Sequence, residues 1–154
     1  MSGLSATGHR VRYAELHALS NFTFLRGASH PEELVETAAR LGYEALAITD
    51  ECSMSGIVRA HTTAKKCGLK KLIIGSELHL RSGRKLIVLA QNRSGYAALC
   101  ELITGARRAA GKGHYELTRL AFENGLPGCV VLWVPDEQHD LDVEDLWLRE
   151  TFRD

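Results

Sequence analysis

Residues 13–50 read YAELHALSNFTFLRGASHPEELVETAARLGYEALAITD, and this stretch decides the fold. Residues 13–17 predict a first strand, and the apolar run at residues 45–48 predicts a second, buried strand. Between them, Ser29 and Glu32 have the spacing of a helix capping box, and a glycine follows the last apolar residue of the predicted helix. A helix between two strands is the usual connection between parallel neighbours in a sheet.

The same alternation continues beyond residue 50 and predicts an α/β fold. Parallel strands joined by right-handed crossover helices account for the first half, and a glycine turn between two apolar runs predicts one β-hairpin. The first predicted element beyond residue 50 is a helix that ends near Gly68, and its apolar face consists of Met54, Ile57, Val58 and His61. A strand at residues 72–74 and a hairpin with arms at residues 77–80 and 85–89 follow. The remaining predicted elements are a helix at residues 94–108, a buried strand at residues 130–134 and an acidic amphipathic helix at residues 140–154.

Length and charge limit the classes of function. The 154 residues suffice for one domain, which we expect to span residues 13–154 after a short leader at residues 1–12. Lysine plus arginine and aspartate plus glutamate number 19 each, so the formal net charge is zero. A domain that grips DNA on its own usually carries a basic excess, so the sequence gives no support to free-standing nucleic-acid binding.

The cysteine pattern and the hydropathy indicate a cytoplasmic protein. The four cysteines form no C-x-x-C pair, which argues against a zinc ribbon or a redox motif and fits a reducing compartment. No signal-peptide core precedes the domain, and no run reaches the roughly 18 apolar residues that a membrane span requires. We therefore expect no membrane partner.

Three ligand-type side chains fall near the carboxyl ends of the first three strands, where sites collect in parallel α/β folds. His17 ends the first strand, Asp50 ends the second, and Glu77 closely follows the third. An imidazole and two carboxylates that converge could bind Zn, Mn or Fe. Three alternatives stay open: Asp50 caps the next helix, Glu77 is an exposed hairpin residue, and His17 is only hydrogen-bonded. His61 is interpreted as a packed or interface histidine and His79 as part of the hairpin.

The sequence resembles a known family over most of its length. Residues 13–34, 45–50, 56–60, 75–77 and 126–134 resemble, in this order, the polymerase-and-histidinol-phosphatase (PHP) domains at the N-terminus of C-family DNA polymerases, and residues 21–34 are most similar to the error-prone branch. The resemblance implies an incomplete distorted (β/α)-barrel with a metal centre of His, Asp and Glu ligands. Such centres support hydrolysis of phosphoesters or pyrophosphate.

The family's ligand motifs are only partly kept. Its His-x-His-Ser motif reads His17-Ala-Leu19-Ser here, its Thr-Asp-His motif reads Thr-Asp50-Glu51, and its Gly-x-Glu ligand is Glu77. The resemblance therefore implies His17, Asp50, Glu51 and Glu77 as metal ligands in a degenerate site, because Leu19 cannot coordinate an ion. A carboxylate in place of histidine shifts the preference from Zn toward Mn or Mg.

Three hypotheses about function follow. The first is an N-terminal PHP-domain fragment of an error-prone, translesion DNA polymerase, a nucleotidyltransferase of DNA repair and replication. The fragment lacks polymerase active-site residues, its metal site is structural, and it meets DNA only through the rest of the polymerase chain. The second is a small metal-dependent phosphoesterase or pyrophosphatase. The third is a non-catalytic interaction module. An unfinished barrel at residue 154 also predicts self-association through its open edge.

Overall fold

The computed structural model describes residues 12–135 and 141–152. Its elements follow the predicted alternation of strands and helices, and the first strand is displaced by one residue from the predicted position. The predicted leader lies outside the described residues except for its last residue, and so does the predicted start of the final helix at residue 140. The elements are β1 (Ala14–Ala18), α1 (Pro31–Leu41), β2 (Ala45–Ile48), α2 (Ile57–Cys67), β3 (Leu72–His79), β4 (Lys85–Ala90), α3 (Arg93–Arg108), a short 3₁₀ helix (Arg119–Phe122), β5 (Cys129–Val134) and α4 (Leu141–Thr151).

The five strands form one curled, mixed sheet in the order β1-β2-β3-β4-β5. The pairs β1–β2 and β2–β3 are parallel, whereas β3–β4 and β4–β5 are antiparallel. The α/β class, the parallel strands with crossover helices and the hairpin are thereby confirmed. The curled sheet corresponds to half of a barrel.

Strand β3 is longer than the sequence indicated. The strand predicted at residues 72–74 and the hairpin arm predicted at residues 77–80 are one continuous strand, so their separation was wrong. Gly75 lies inside this strand because β4 passes very close to it: a Cβ there would lie 2.5 Å from the carbonyl oxygen of Val88. Glycine at this position thus permits close approach of the two backbones within the strand. Glu77 therefore sits within a strand and not in a loop.

Helix α1 begins one residue later than its predicted capping box. Its N-cap is His30, and the side chain of Glu33 accepts a hydrogen bond of 2.8 Å from the His30 amide. Pro31 explains the displacement, because proline has no amide hydrogen and fits the first helical position, which makes the residue before it the cap. At the other end Gly42 adopts φ 73° and its amide returns to the last turn of the helix.

The buried face of α2 differs from the predicted one. Val58 is 75% exposed and His61 is exposed, so the prediction that both lie on the face that packs within the domain was wrong; an interface role for His61 stays a prediction. Ile57, Ala60 and Ala64 are buried instead. Their spacing of three and four residues is the helical stripe that faces the core, and the two alanines allow α1 to pack close to α2.

The core consists of three apolar clusters. One lies around α3, β3 and β4 and includes Leu78, Leu99 and Phe122, and a second joins α1 and α2 to β2. The third, with Ile87 and Leu89, lies on the opposite face of the sheet, because successive strand residues alternate between faces. β5 is only half-buried, in contrast to its prediction as a buried strand. Among the described residues, no helix combines the length and hydrophobicity needed to span a membrane.

Candidate cation site

The backbone brings the ends of β2 and β3 together at one point. Beyond β2, Glu51 and Glu77 form an isolated parallel bridge. The Glu77 amide donates to the Thr49 carbonyl at 3.1 Å, and the Cys52 amide donates to the Glu77 carbonyl at 2.8 Å. Cys52 has φ 43°, an unusual value for a residue with a side chain, and the chain turns away from the sheet there. Two glutamates thus become neighbours although 26 positions separate them in the sequence.

Glu77 is a fully buried carboxylate that three side chains contact. Oε2 accepts a hydrogen bond from His17 Nε2 at 2.8 Å, and Oε1 accepts one from His79 Nε2 at 2.6 Å. The guanidinium of Arg26 donates to both oxygens, with Nη2 at 3.3 Å from Oε2. Burial alone would raise the pKa of Glu77, but the hydrogen bonds from His17, His79 and Arg26 outweigh it and hold the pKa well below its ordinary value. The carboxylate is therefore ionised across the physiological pH range.

Glu51 is half-buried and completes the acidic pair. Its Oε2 accepts a hydrogen bond from Arg26 Nη1 at 2.6 Å, and its Oε1 accepts one from the Tyr115 hydroxyl at 2.9 Å. Burial, together with the nearby Glu51 carboxylate, raises the pKa of Tyr115, so the phenol stays protonated and donates. The guanidinium of Arg107 lies 5.3 Å from the centre of the Tyr115 ring, and this cation–π contact helps to hold the ring in place.

Arg26 reaches the two glutamates from a tightly folded loop after β1. The Thr23 carbonyl accepts hydrogen bonds from the amides of Arg26 and Gly27, at 3.1 and 2.9 Å. Gly27 is required because a Cβ there would lie 1.9 Å from the Ser20 carbonyl oxygen. Hydrogen bonds to Glu77 and Glu51 raise the pKa of Arg26 further above its already high value. The loop thus places a permanent positive charge between two carboxylates.

Asp50 is buried like Glu77 but faces the loop. Its Oδ1 accepts hydrogen bonds from the Ser20 amide and the Thr23 hydroxyl, and its Oδ2 accepts one from the Ser20 hydroxyl, each at 2.7 Å. The Thr23 hydroxyl also accepts a hydrogen bond of 3.0 Å from the Glu51 amide. The Asp50 carboxylate therefore anchors the loop that carries Arg26. It does not cap α2, whose N-cap is Gly56.

The structure brings three of the four sequence-predicted ligands into contact, directly or through Arg26. His17 contacts Glu77, Arg26 joins Glu77 to Glu51, and Asp50 binds the loop separately. The alternative that Glu77 is an exposed hairpin residue is wrong, because its side chain is fully buried.

Sequence reasoning overlooked three contributors to this cluster. His79 follows Glu77 by two positions on one strand and so points to the same face, a signal that the alternation of β3 could have revealed. Arg26 and Tyr115 lie in segments without periodicity, and their roles depend on how the loops fold.

The oxygen and nitrogen atoms of this cluster suit a divalent cation, but the carboxylate oxygens and the histidine Nε2 atoms already make hydrogen bonds within the protein. Glu51, Glu77 and His79 each offer a ligand atom, and these atoms lie within 4.8 Å of one another. A carboxylate can only accept hydrogen bonds, so the Nε2 atoms of His17 and His79 must carry protons that point at Glu77. A proton on that nitrogen occupies the lone pair that a metal would need. With Arg26 on both glutamates, this arrangement does not fit an added ion unless side chains move.

The curled, mixed α/β sheet with its crossover helices is that of a PHP-type domain. The family model described as "PHP domain" matches residues 15–128, and the chain belongs to this family. Over 141 residues, 91% of the chain, it is 57% identical to an error-prone DNA polymerase of Methylococcus capsulatus. It is 53% identical over 143 residues to the error-prone DNA polymerase of Pseudomonas syringae pv. syringae, and 60% identical over 128 residues, 80% of the chain, to that of Dechloromonas aromatica.

The chain spans only 12–14% of the length of these relatives. Among solved structures, it resembles one described as a putative metal-dependent phosphoesterase from Bifidobacterium adolescentis, with a TM-score of 0.53, 22% identity, and coverage of 65% of this chain and 35% of the other. An amidohydrolase from Chromobacterium violaceum has a TM-score of 0.52 and 24% identity, with 62% of this chain and 34% of the other covered. At these identities the two structures bear on the fold alone.

Proposed function

We propose that this chain serves as the PHP domain of an error-prone DNA polymerase that acts in DNA damage tolerance. The observation that carries this proposal is 57% identity over 91% of the chain to a protein of that description, of which the chain covers 13%. The remainder of the polymerase is then the partner of this domain, and contact with DNA and nucleotidyl transfer, in the cytoplasm, belong to that remainder.

Two exposed apolar residues support a protein partner next to the site. Phe24 is 82% exposed and Leu25 is 90% exposed, and both lie at the tip of the loop that carries Arg26. Leu25 adopts φ 64°, which costs energy for a residue with a side chain. Exposed apolar side chains on a strained loop are typical of a surface that packs against something else. We assign this surface to contact with the rest of the polymerase, in preference to self-association of the isolated chain.

Within the polymerase, the domain acts as a scaffold and not as a phosphoesterase. Hydrolysis of a phosphoester in such a site needs an ion with open coordination positions. Here each carboxylate oxygen of Glu51 and Glu77 accepts a hydrogen bond from the protein, and Leu19 stands where a second histidine would bind. If Zn, Mn or Mg binds through His17, Asp50, Glu51 and Glu77, it must displace these partners.

Two experiments test the polymerase proposal. An antibody against residues 30–110 should detect a species many times heavier than 17.0 kDa in the cells of origin, and disruption of the gene should lower the frequency of mutations after DNA damage. A product of 17 kDa only, together with unchanged damage-induced mutation, would refute the proposal. In that case hydrolysis of phosphoesters by the purified chain with Mn²⁺ becomes the leading alternative to examine.

A further inference from the structure

We infer that the side chain of Arg26 is the built-in cation of this site, and that it excludes a divalent ion from the pair Glu51–Glu77. In the scaffold role proposed above, Arg26 would be the group that holds the scaffold together. This role of Arg26 does not depend on the polymerase assignment, since the same contacts exist whatever protein carries the domain. Its test therefore succeeds or fails separately from the antibody and mutation-frequency experiments.

Glu51 and Glu77 require a positive charge between them. Carboxylate oxygens of Glu51 and Glu77 lie within 4.8 Å of each other. Two negative charges at that distance repel each other unless a positive charge lies between them. Arg26 Nη1 donates to Oε2 of Glu51 at 2.6 Å and also to Oε1 of Glu77, so one nitrogen bridges the pair. Arg26 Nη2 adds a contact of 3.3 Å to the second oxygen of Glu77. A divalent ion held by both glutamates would occupy this same bridging position.

The other groups around the acidic pair direct protons at it. The imidazoles of His17 and His79 each point an Nε2–H at Glu77, and the Tyr115 hydroxyl donates to Glu51. All these groups act as donors toward the carboxylates, whereas metal ligands must present lone pairs to the ion. The acidic pair is thus surrounded by hydrogen-bond donors, and the guanidinium of Arg26 is one of them.

The loop after β1 holds Arg26 in place. Three hydrogen bonds tie Asp50 to Ser20 and Thr23, and the Thr23 carbonyl accepts from the Arg26 amide. The close contact of Gly27 with Ser20 closes the turn. A guanidinium remains charged at every pH at which the protein folds, so this cation cannot be lost by deprotonation or removed by a chelator.

The experiment removes the guanidinium and measures binding of Mn²⁺ alone. Free Mn²⁺ gives an electron paramagnetic resonance signal that disappears on binding, so a titration yields the affinity directly. We expect wild type to show no saturable binding up to about 1 mM, the weak end of specific affinity. Arg26→Gln should bind one ion at least about tenfold more tightly, because one positive charge a few ångströms away is gone. The double variant Arg26→Gln with Glu51→Gln should lose that gain.

Arg59→Gln is the matched control. Arg59 lies near the same loop, stacks on Phe22 and faces Glu32 at 3.8 Å, but it has no contact with the acidic pair among the described residues. Its removal changes the net charge equally and should leave Mn²⁺ binding at the wild-type level. Equal gains in Arg26→Gln and Arg59→Gln would overturn the inference, because the effect would then be one of overall charge.

Two further outcomes would also overturn the inference: stoichiometric micromolar binding of Mn²⁺ by wild type that requires Glu51, and a folded Arg26→Gln variant with no gain in affinity. Circular dichroism establishes whether the variant is folded. If Arg26→Gln is unfolded in chelator, Mn²⁺ should restore its native spectrum by taking the place of the guanidinium, whereas failure to restore the spectrum counts against the inference.

Discussion

Asp50 and Glu77 are both almost inaccessible, with 1% and 0% of their surface exposed, and they lie on neighbouring strand ends. The groups that donate hydrogen bonds to the two carboxylates nevertheless differ in charge and in their place in the chain. Asp50 accepts three hydrogen bonds from neutral groups of two residues in a single loop. Glu77 accepts from two imidazoles and a guanidinium that three separate segments of the chain supply.

This difference shows that burial of a carboxylate does not by itself identify an ion-binding group. A buried charge must be compensated, but short neutral donors from one loop can do so locally, as for Asp50, and the result is a structural anchor. Glu77 is compensated by distant, charged or ionisable groups, and the result is an electrostatic centre that joins β1, the loop and β3. Both carboxylates match ligand positions in the family motifs, so the sequence does not distinguish them. Their hydrogen-bond partners in the structure do.

The largest expected effect is that of Glu77→Gln. The substitution keeps the shape but removes the negative charge opposite Arg26. Because the Arg26 side chain is 36% exposed and keeps its contact with Glu51, we expect a loss of about 3 kcal/mol of unfolding free energy, the low end of the range for a broken buried ion pair. Urea denaturation followed by circular dichroism measures this loss. Glu36→Gln, on the exposed side of α1, is the control and should stay within about 0.5 kcal/mol of wild type. A loss below about 1 kcal/mol for Glu77→Gln would show that the centre is not stabilising.

Asp50→Asn should cost less, about 2–3 kcal/mol, because hydrogen bonds to a charged acceptor contribute about 1.5–3 kcal/mol. One amide oxygen can still accept from Ser20, but the new NH₂ group faces the donors of Ser20 and Thr23. The same urea experiment measures the change. A larger loss than that of Glu77→Gln would reverse the ranking of the two carboxylates and make the loop anchor the dominant element.

Acid should lower the free energy of unfolding through the protonation of Glu77. The pKa of Glu77 in the folded chain lies below the value of about 4.3 expected in the unfolded chain. Below a pH of about 4.3 the Glu77 carboxylate binds a proton in the unfolded chain but not in the folded chain. The contribution of Glu77 to the unfolding free energy is therefore fully present above this pH and decreases as the pH falls below it. The contribution of this one carboxylate approaches about 1.4 kcal/mol per pH unit. Unfolding free energies of wild type and Glu77→Gln between pH 5 and 3 should therefore differ in slope; identical slopes would contradict the lowered pKa.

The smallest expected effect is that of Tyr115→Phe. The Tyr115 hydroxyl donates to Glu51 at 2.9 Å and accepts from the His79 amide at 3.1 Å, and its loss should cost about 1–2 kcal/mol in the same denaturation experiment. Glu51 keeps its contact with Arg26, so the centre should persist. An effect as large as that of Glu77→Gln would mean that the phenol, and not the guanidinium, holds Glu51.

The sequence predicted the order of strands and helices because periodicity and glycine positions are local signals. It separated two segments that form β3, because the apolar run ends at Ile74, whereas the strand continues through Gly75, where β4 passes close by. It also assigned the wrong face to α2, since Val58 and His61 are exposed and two alanines form the contact. Small residues carry little hydrophobic signal, so a helix face built from them is hard to recognise.

The candidate site was predictable where a motif exists and not elsewhere. Glu77 and His17 follow from their places in the family pattern, and the structure brings them within 2.8 Å. Arg26 could not be found in this way, because its contacts depend on a loop that is folded by Asp50, a residue expected to bind metal. The compensating charge comes from a segment without periodicity, and its position is settled only by tertiary structure.

The bridge between Glu51 and Glu77 has a consequence for local opening of the fold. The amides of Cys52 and Glu77 are both hydrogen-bonded across it, although the regular part of β2 ends at Ile48. Separation of the two strand ends must release both amides together, so they should exchange with deuterated solvent in a correlated manner. The exchange rates of these two backbone groups thus record how often the centre opens, without any ligand, label or reaction to report it.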